Sequence, residues 1–114
     1  MTPPEVHVSI TGLQLRRIWH APSFWLHASR AMVQARSAPG NISAEARSID
    51  GVHHTLSVLT DREAMRAYLT AGAHLEAMRR FPSLATGRVV GYTTHEVPDW
   101  SDVPAIWVAR GRVV

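Results

Sequence analysis

Residues Ile42 to Leu59 read ISAEARSIDGVHHTLSVL, two alternating runs on either side of Asp50-Gly51. Alternation of apolar and polar residues is the period of a half-buried strand, and Asp-Gly between two such runs marks a hairpin. The length of the turn decides which residues share a face. A two-residue turn sets Ala46 opposite Thr55 and mixes the two faces. A three-residue loop, Ile49-Asp50-Gly51 with Gly51 left-handed, sets Ala46 opposite His54, Ala44 opposite Leu56 and Ile42 opposite Val58. The longer loop segregates the apolar residues and is the expected register.

The segments around this hairpin complete the pattern. Upstream, Val6 to Gly12 alternates and reads as a strand, and Pro22 opens a helix that runs to about Ala38 before the breaker Pro39-Gly40-Asn41. Phe24, Ala28, Ala31, Met32 and Ala35 form its apolar stripe, with His27, Arg30, Gln34 and Ser37 opposite. Downstream, Thr60 and Glu63 form a capping box for a second helix whose stripe is Met65, Tyr68, Leu69, Gly72 and Leu75. Gly72 marks a kink, a close approach or a break, and Pro82 ends the helix. A fourth strand spans Arg88 to Val97, and Ser101 to Arg110 reads as a short helix stopped by Gly111.

The order β-α-β-β-α-β plus a C-terminal helix predicts an α+β, ferredoxin-like domain. It has a four-stranded antiparallel sheet with both long helices on one face. With 114 residues the chain is expected to be one domain. The absence of cysteine excludes disulfides and thiolate chemistry. No run approaches the length of a membrane helix and the first residues lack a signal-peptide pattern, so a cytoplasmic protein is expected. The net charge of +3 rests on twelve arginines scattered among acids, which does not make a phosphate-tracking surface, so nucleic acid is not an expected partner.

If Val6, Val8 and Ile10 face the helices, His7, Ser9 and Thr11 face away. The preferred hairpin register adds Glu45, Arg47, His53 and Thr55 to that open side, and the fourth strand adds Tyr92, Thr94 and Glu96. His7 and His53 become neighbours on adjacent strands. One account is a wetted sheet face. The other is a cleft of proton-transfer groups, completed by a second subunit. In it His53, His7 and Tyr92 are the catalytic candidates, Arg47 holds an anion or enolate, and Trp25 forms a wall. His53-His54 is not a metal pair, since adjacent strand residues point to opposite faces. His7, His53 and Glu45 have no spacing that demands zinc, and no metal is expected. His54 reads as a satisfied core histidine. No phosphate-binding glycine loop, nucleophile elbow or paired carboxylates are present, which leaves hydrolases and kinases without support.

The element order, Phe24-Trp25, Ala38-Pro39-Gly40-Asn41, Gly51 to Val58 and the run DREAMRAYLTAGAHLEAM (61–78) resemble the dimeric α+β barrel superfamily of antibiotic-biosynthesis-type monooxygenases and their stress-responsive relatives. The chain is similar to small bacterial proteins grouped near spheroidene monooxygenase. The resemblance implies a homodimer with a ligand cavity and a monooxygenase-like enzyme acting on a small hydrophobic or aromatic molecule. Some relatives instead hold ligands or answer stress without turnover. Haem-degrading members carry a histidine late in the second helix. Here Met78 stands at that place, His74 lies one turn earlier, and Tyr68 replaces their tryptophan, so the resemblance carries no haem ligand over.

Overall fold

The computed structural model describes residues 4–113. The strands are β1 (Val6–Leu15), β2 (Asn41–Ile49), β3 (Val52–Leu59), β4 (Ala85–Thr94) and β5 (Arg112–Val113). The helices are α1 (Ala21–Ser37), α2 (Arg62–Leu69), α3 (Gly72–Leu84) and α4 (Val103–Arg110). The strands form one antiparallel sheet in the order β2-β3-β1-β4-β5. The fold is therefore α+β as expected, with a fifth strand the pattern did not show. Two residues after Gly111 are too few to display a period.

The hairpin takes the shorter turn. Ala46 pairs with Thr55, Ala44 with Ser57 and Ile49 with Val52. Asp50 (φ 50°) and Gly51 (φ 80°) are both left-handed, the two-residue geometry whose twist matches the flanking strands. The three-residue register is thus corrected. The apolar segregation that favoured it carries little weight, because β2 is an edge strand with Ala46 and Ser48 exposed. Turn chemistry then decides.

The second helix is two helices. Gly72 takes φ +53°, and the side chain of Gln34 on α1 bridges the break. Its Oε1 accepts the His74 backbone N–H at 2.6 Å, while its Nε2 donates to the carbonyls of Ala71 (2.8 Å) and Tyr68 (3.2 Å). One amide thus satisfies backbone groups that the end of α2 and the start of α3 leave unpaired. Gln34, expected on the outer face of α1, points inward for this reason. The N-cap of α2 is Asp61, whose carboxylate accepts Ala64 N–H at 2.8 Å, rather than Thr60, whose N–H is taken by the Gly40 carbonyl. Pro82 does not stop α3, which runs on to Leu84. Arg16 closes that end, donating through Nε to Pro82 O and through its backbone N–H to Leu84 O.

On β1 and β3 the two faces are the reverse of the expected ones, whereas Glu45 and Arg47 of β2 and Tyr92 of β4 face away from the long helices as expected. Val8, Ile10, Leu56, Val58 and Val90 pack not on α1 but on the C-terminal segment, through Trp100, Val103, Ile106 and Trp107. The long helices lie on the other face and touch the sheet in two places. At one end, Leu13 and Ala85 meet Phe24, Ala28 and Phe81. At the other, Ala44 and Leu59 meet Ala35, Met65 and Tyr68. Between these two piers the sheet presents hydroxyls and histidines to the helices instead of to solvent.

Candidate functional site

The space between the piers is a cavity of about 290 Å³. Its floor is Thr11, Thr55, Ser57 and Val89 of the sheet, with His53 at one side. Its roof is Ala28, Ala31 and Met32 of α1 and His74, Met78 and Phe81 of α3. The Thr11 and Thr55 hydroxyls bond to each other, so the floor is neutral and partly self-satisfied. No carboxylate or guanidinium is among the lining residues. This is the mainly apolar, sparsely polar lining of a small-molecule site.

Two imidazoles carry its chemistry. His74 Nδ1 lies 3.3 Å from the Leu69 carbonyl; a carbonyl only accepts, so Nδ1 carries the proton and Nε2 keeps its lone pair. The ring meets the edge of Tyr68 at 4.6 Å. Burial lowers the pKa of His74, with the Leu69 bond opposing, so the ring is neutral near pH 7. His53 is held edge-on between Phe24 (5.5 Å) and Trp25 (4.8 Å). Its Nδ1 is buried without a hydrogen-bond partner. An unpaired buried N–H costs more than an unpaired lone pair, so the proton of neutral His53 belongs on Nε2. Burial and then neighbouring His54 lower its pKa. One neutral histidine thus offers an acceptor and the other a donor. On the same lining, burial pushes the Tyr68 phenol to about 12, which keeps it protonated.

These shifts have a consequence for stability. In the unfolded chain His53 and His74 gain a proton near their ordinary value of 6.5, while in the folded chain each does so only at lower pH. Between the two values the unfolded form binds more protons, so folding weakens as pH falls. Thermal unfolding followed by circular dichroism is expected to give a midpoint nearly constant above pH 7 that declines from about pH 6.5 downward. In the His53→Gln, His74→Gln double variant that decline is expected to be shallower.

The other residues singled out by sequence lie elsewhere. His7 is on the helix-facing side with His53, but β1 pairs His7 with Leu59 and His53 with Leu13. Six residues therefore separate them along the strand, about 20 Å, and they are not neighbours. Arg47 and Tyr92 are on the opposite face. The Arg47 guanidinium lies 4.9 Å over the Trp100 ring, and Glu45 accepts the indole N–H of Trp100 at 2.7 Å. Tyr92 packs beside Val8, with Arg110 4.5 Å from its ring centre. Trp25 is 45% exposed, is absent from the cavity lining and meets it edge-on through His53. His54 is a satisfied core histidine, 1% exposed, bonded through Nδ1 to the Thr11 carbonyl and stacked edge-on against Trp107. Among the described residues no three His, Asp or Glu side chains gather as a metal ion requires. No helix among them is long and apolar enough to cross a membrane.

His74 is the functional candidate that the sequence pattern hid. Once the helix is divided at Gly72, His74, Ala77, Met78 and Phe81 follow the i, i+3, i+4, i+7 rule of an inward stripe. Read as one helix, the phase carried through the break puts Leu75 inside instead.

No family profile matches the chain, and no curated protein matches it. Solved structures do. Rv0793 from Mycobacterium tuberculosis superposes with a TM-score of 0.67 at 12% identity, covering 82% of this chain and 98% of that one. SnoaB, a cofactor-independent oxygenase from Streptomyces nogalater, gives 0.64 at 18% identity over 83% and 99% of the two chains. A candidate antibiotic biosynthesis monooxygenase from Nitrosomonas europaea gives 0.66 at 14% over 81% and 99%. At these identities the likeness is one of fold.

Proposed function

We propose that this chain, which has the fold of the antibiotic-biosynthesis-monooxygenase-like proteins, oxidises a small aromatic molecule in the cavity beneath α1 and α3. The observation that carries the reading is the pairing of an imidazole lone pair on His74 with an imidazole N–H on His53 in one mainly apolar cavity. Such a site removes a proton from a weakly acidic carbon and holds the oxyanion that forms. A carbanion of that kind reduces dioxygen by itself, so the substrate supplies the electrons.

For an activated methylene, the carbon exchanges its two hydrogens for one oxygen atom of dioxygen and becomes a carbonyl, while the other oxygen atom leaves with both hydrogens as water. His74 Nε2 takes the first proton, and the electron pair left on carbon passes to dioxygen in two one-electron steps, forming the C–O bond. The proton returns from His74 to the outer oxygen, giving a hydroperoxide. The second C–H bond then breaks, its electrons make the carbonyl, the O–O bond cleaves, and hydroxide leaves as water with that second proton. Across these steps His53 Nε2–H faces the developing oxyanion, and the apolar walls formed by Met32, Met78 and Phe81 keep bulk water from protonating the carbanion.

We also propose that the chain works as a homodimer of the α+β barrel kind. What supports it is the fold likeness together with the amount of apolar surface a single copy leaves bare: Ile18 is 83%, Trp19 70% and Val33 69% exposed. The interior face of such a barrel would carry α4, since that segment covers Val8, Ile10 and Val58.

The test uses an anthrone, whose methylene is acidic because its anion is aromatic. Consumption of dioxygen with formation of the quinone, by a chain that native mass spectrometry finds as a dimer, is expected. Binding of the anthrone without oxygen uptake would leave a ligand-holding protein and overturn the oxygenase reading. A monomer that turns over would overturn the dimer alone.

A further inference from the structure

We infer that the molecule taken by this cavity carries a carboxylate, and that Arg112 on β5 receives it. The inference rests on the proposed cavity and adds to it the chemical class of the ligand. A second cavity of about 320 Å³ adjoins the first and shares Thr11, His74, Met78 and Val89 with it. The two are therefore one passage under α3, and Arg112 stands on the wall of its far half.

The fifth strand is what brings the charge there. Arg112 pairs with Val89, and Val89 pairs with Thr11, so all three point to the helix-facing side. Without β5 the edge of β4 would end the cavity on the apolar Val89. Arg62 of α2 joins Arg112 around the outer mouth beside His7 and Thr93, a groove whose lining contains no acid. Glu63 lines neighbouring grooves on the α2 side and not this one. Arg110 also reaches the mouth, but its guanidinium is engaged on the Tyr92 ring. Among the described residues no carboxylate pairs with Arg62, Arg110 or Arg112.

The spacing sets the distance a ligand has to span. From His53 on β3 to Arg112 on β5 is three strand spacings and two residues, about 16 Å between backbones. Both side chains stand on the helix-facing side of the sheet, so a flat aromatic body lying over Thr11 and Val89 has one of them toward each end. A flat aromatic body would sit between His53 and His74 with its carboxylate at the guanidinium, a bidentate geometry that arginine favours. The anionic end would then fix which carbon faces His74 Nε2.

The test compares 2-naphthoic acid with its methyl ester by calorimetry on the full chain. The acid is expected to bind about tenfold or more tightly than the ester, by an amount that shrinks as salt rises. Arg112→Met, which keeps the aliphatic stem, is expected to remove that preference and leave ester affinity within about twofold; Arg112→Lys restores part of it. Ala31→Leu, which thickens the cavity wall, weakens both probes. Equal affinity for acid and ester in the unaltered chain, or a preference that survives Arg112→Met, overturns the inference and leaves the cavity standing. Failure of both probes to bind overturns the cavity reading and this inference with it.

Discussion

His74→Gln lowers the rate of anthrone oxidation by about 10²- to 10⁴-fold, the usual contribution of a positioned general base. The loss falls on kcat, with KM changed only a few-fold, because the ring contributes little of the cavity's apolar surface and the proton it takes moves only in the transition state. Stability changes little. The backbone N–H of His74 keeps its bond to Gln34, and the side-chain bond to Leu69 is long at 3.3 Å. Two further readouts separate a base from a packing residue. In the unaltered protein the rate rises with pH through an apparent value below 6.5, as the lowered pKa of His74 requires. In His74→Gly, added imidazole restores part of the rate. A variant with unaltered kcat removes His74 from the reaction, whatever becomes of the cavity.

Gly12→Ala acts on the opposite face. A Cβ at this position would stand against Trp107 Cε2, 2.5 Å from its Nε1 and 2.8 Å from His54 Cε1. The backbone cannot retreat, since β1 is bonded on one side to β3 and on the other to β4. The indole must therefore leave, and with it the 2.9 Å bond from Trp107 Nε1 to the Arg88 carbonyl. Overpacking of this kind costs about 1–3 kcal/mol, and losing this half-buried hydrogen bond adds about 0.5–1.5 kcal/mol. A loss near 3 kcal/mol is expected, read as a fall of about 10 °C or more in the thermal midpoint. Well below that midpoint, oxygen uptake stays within about twofold of the unaltered protein, because no lining residue of the cavity has moved. A midpoint within a few degrees of the unaltered one would show that the indole has somewhere else to go.

The segments that were legible are those whose own residues decide them. The α1 stripe is buried at Phe24, Ala31 and Ala35 as its spacing requires, and β3 has its expected ends. His54 could be recognised as core from its place in an apolar row. What failed was the assignment of faces. Alternation divides a strand into two sets but does not say which set meets which layer. The rule that the apolar set meets the longest helices presumes that nothing else is large enough to cover it. Here Trp100 and Trp107 sit on a segment that reads as a minor tail, yet with Val103 and Ile106 they cover the whole apolar row. Arg47 was placed beside His53 by the three-residue hairpin register, and Tyr92 by taking the more polar half of the fourth strand to share that side; the observed pairing puts both with Val8 and His54 instead. The pairing of His7 with His53 failed for a different reason: neighbouring strands do not make neighbouring residues until the register is known.

The Asp50-Gly51 tip is exposed, the kind of place where insertions usually collect. It is barred from that freedom. One added residue would slide β2 by one position against β3, and Glu45 or Ser43 would take the place of Ala44 in the contact with Ala35 and Leu59. A charged side chain would then lie under α1, in one of the two supports that hold the roof above the floor. Descendants of this chain can vary the side chains at 50 and 51 within what left-handed backbone allows, but they cannot vary the number of residues there. Length variation belongs instead to the stretch 95–99, which crosses from β4 to the C-terminal segment outside any strand or helix. The number of residues at an exposed tip is thus tied to a buried contact, that of Ala44 with Ala35 and Leu59.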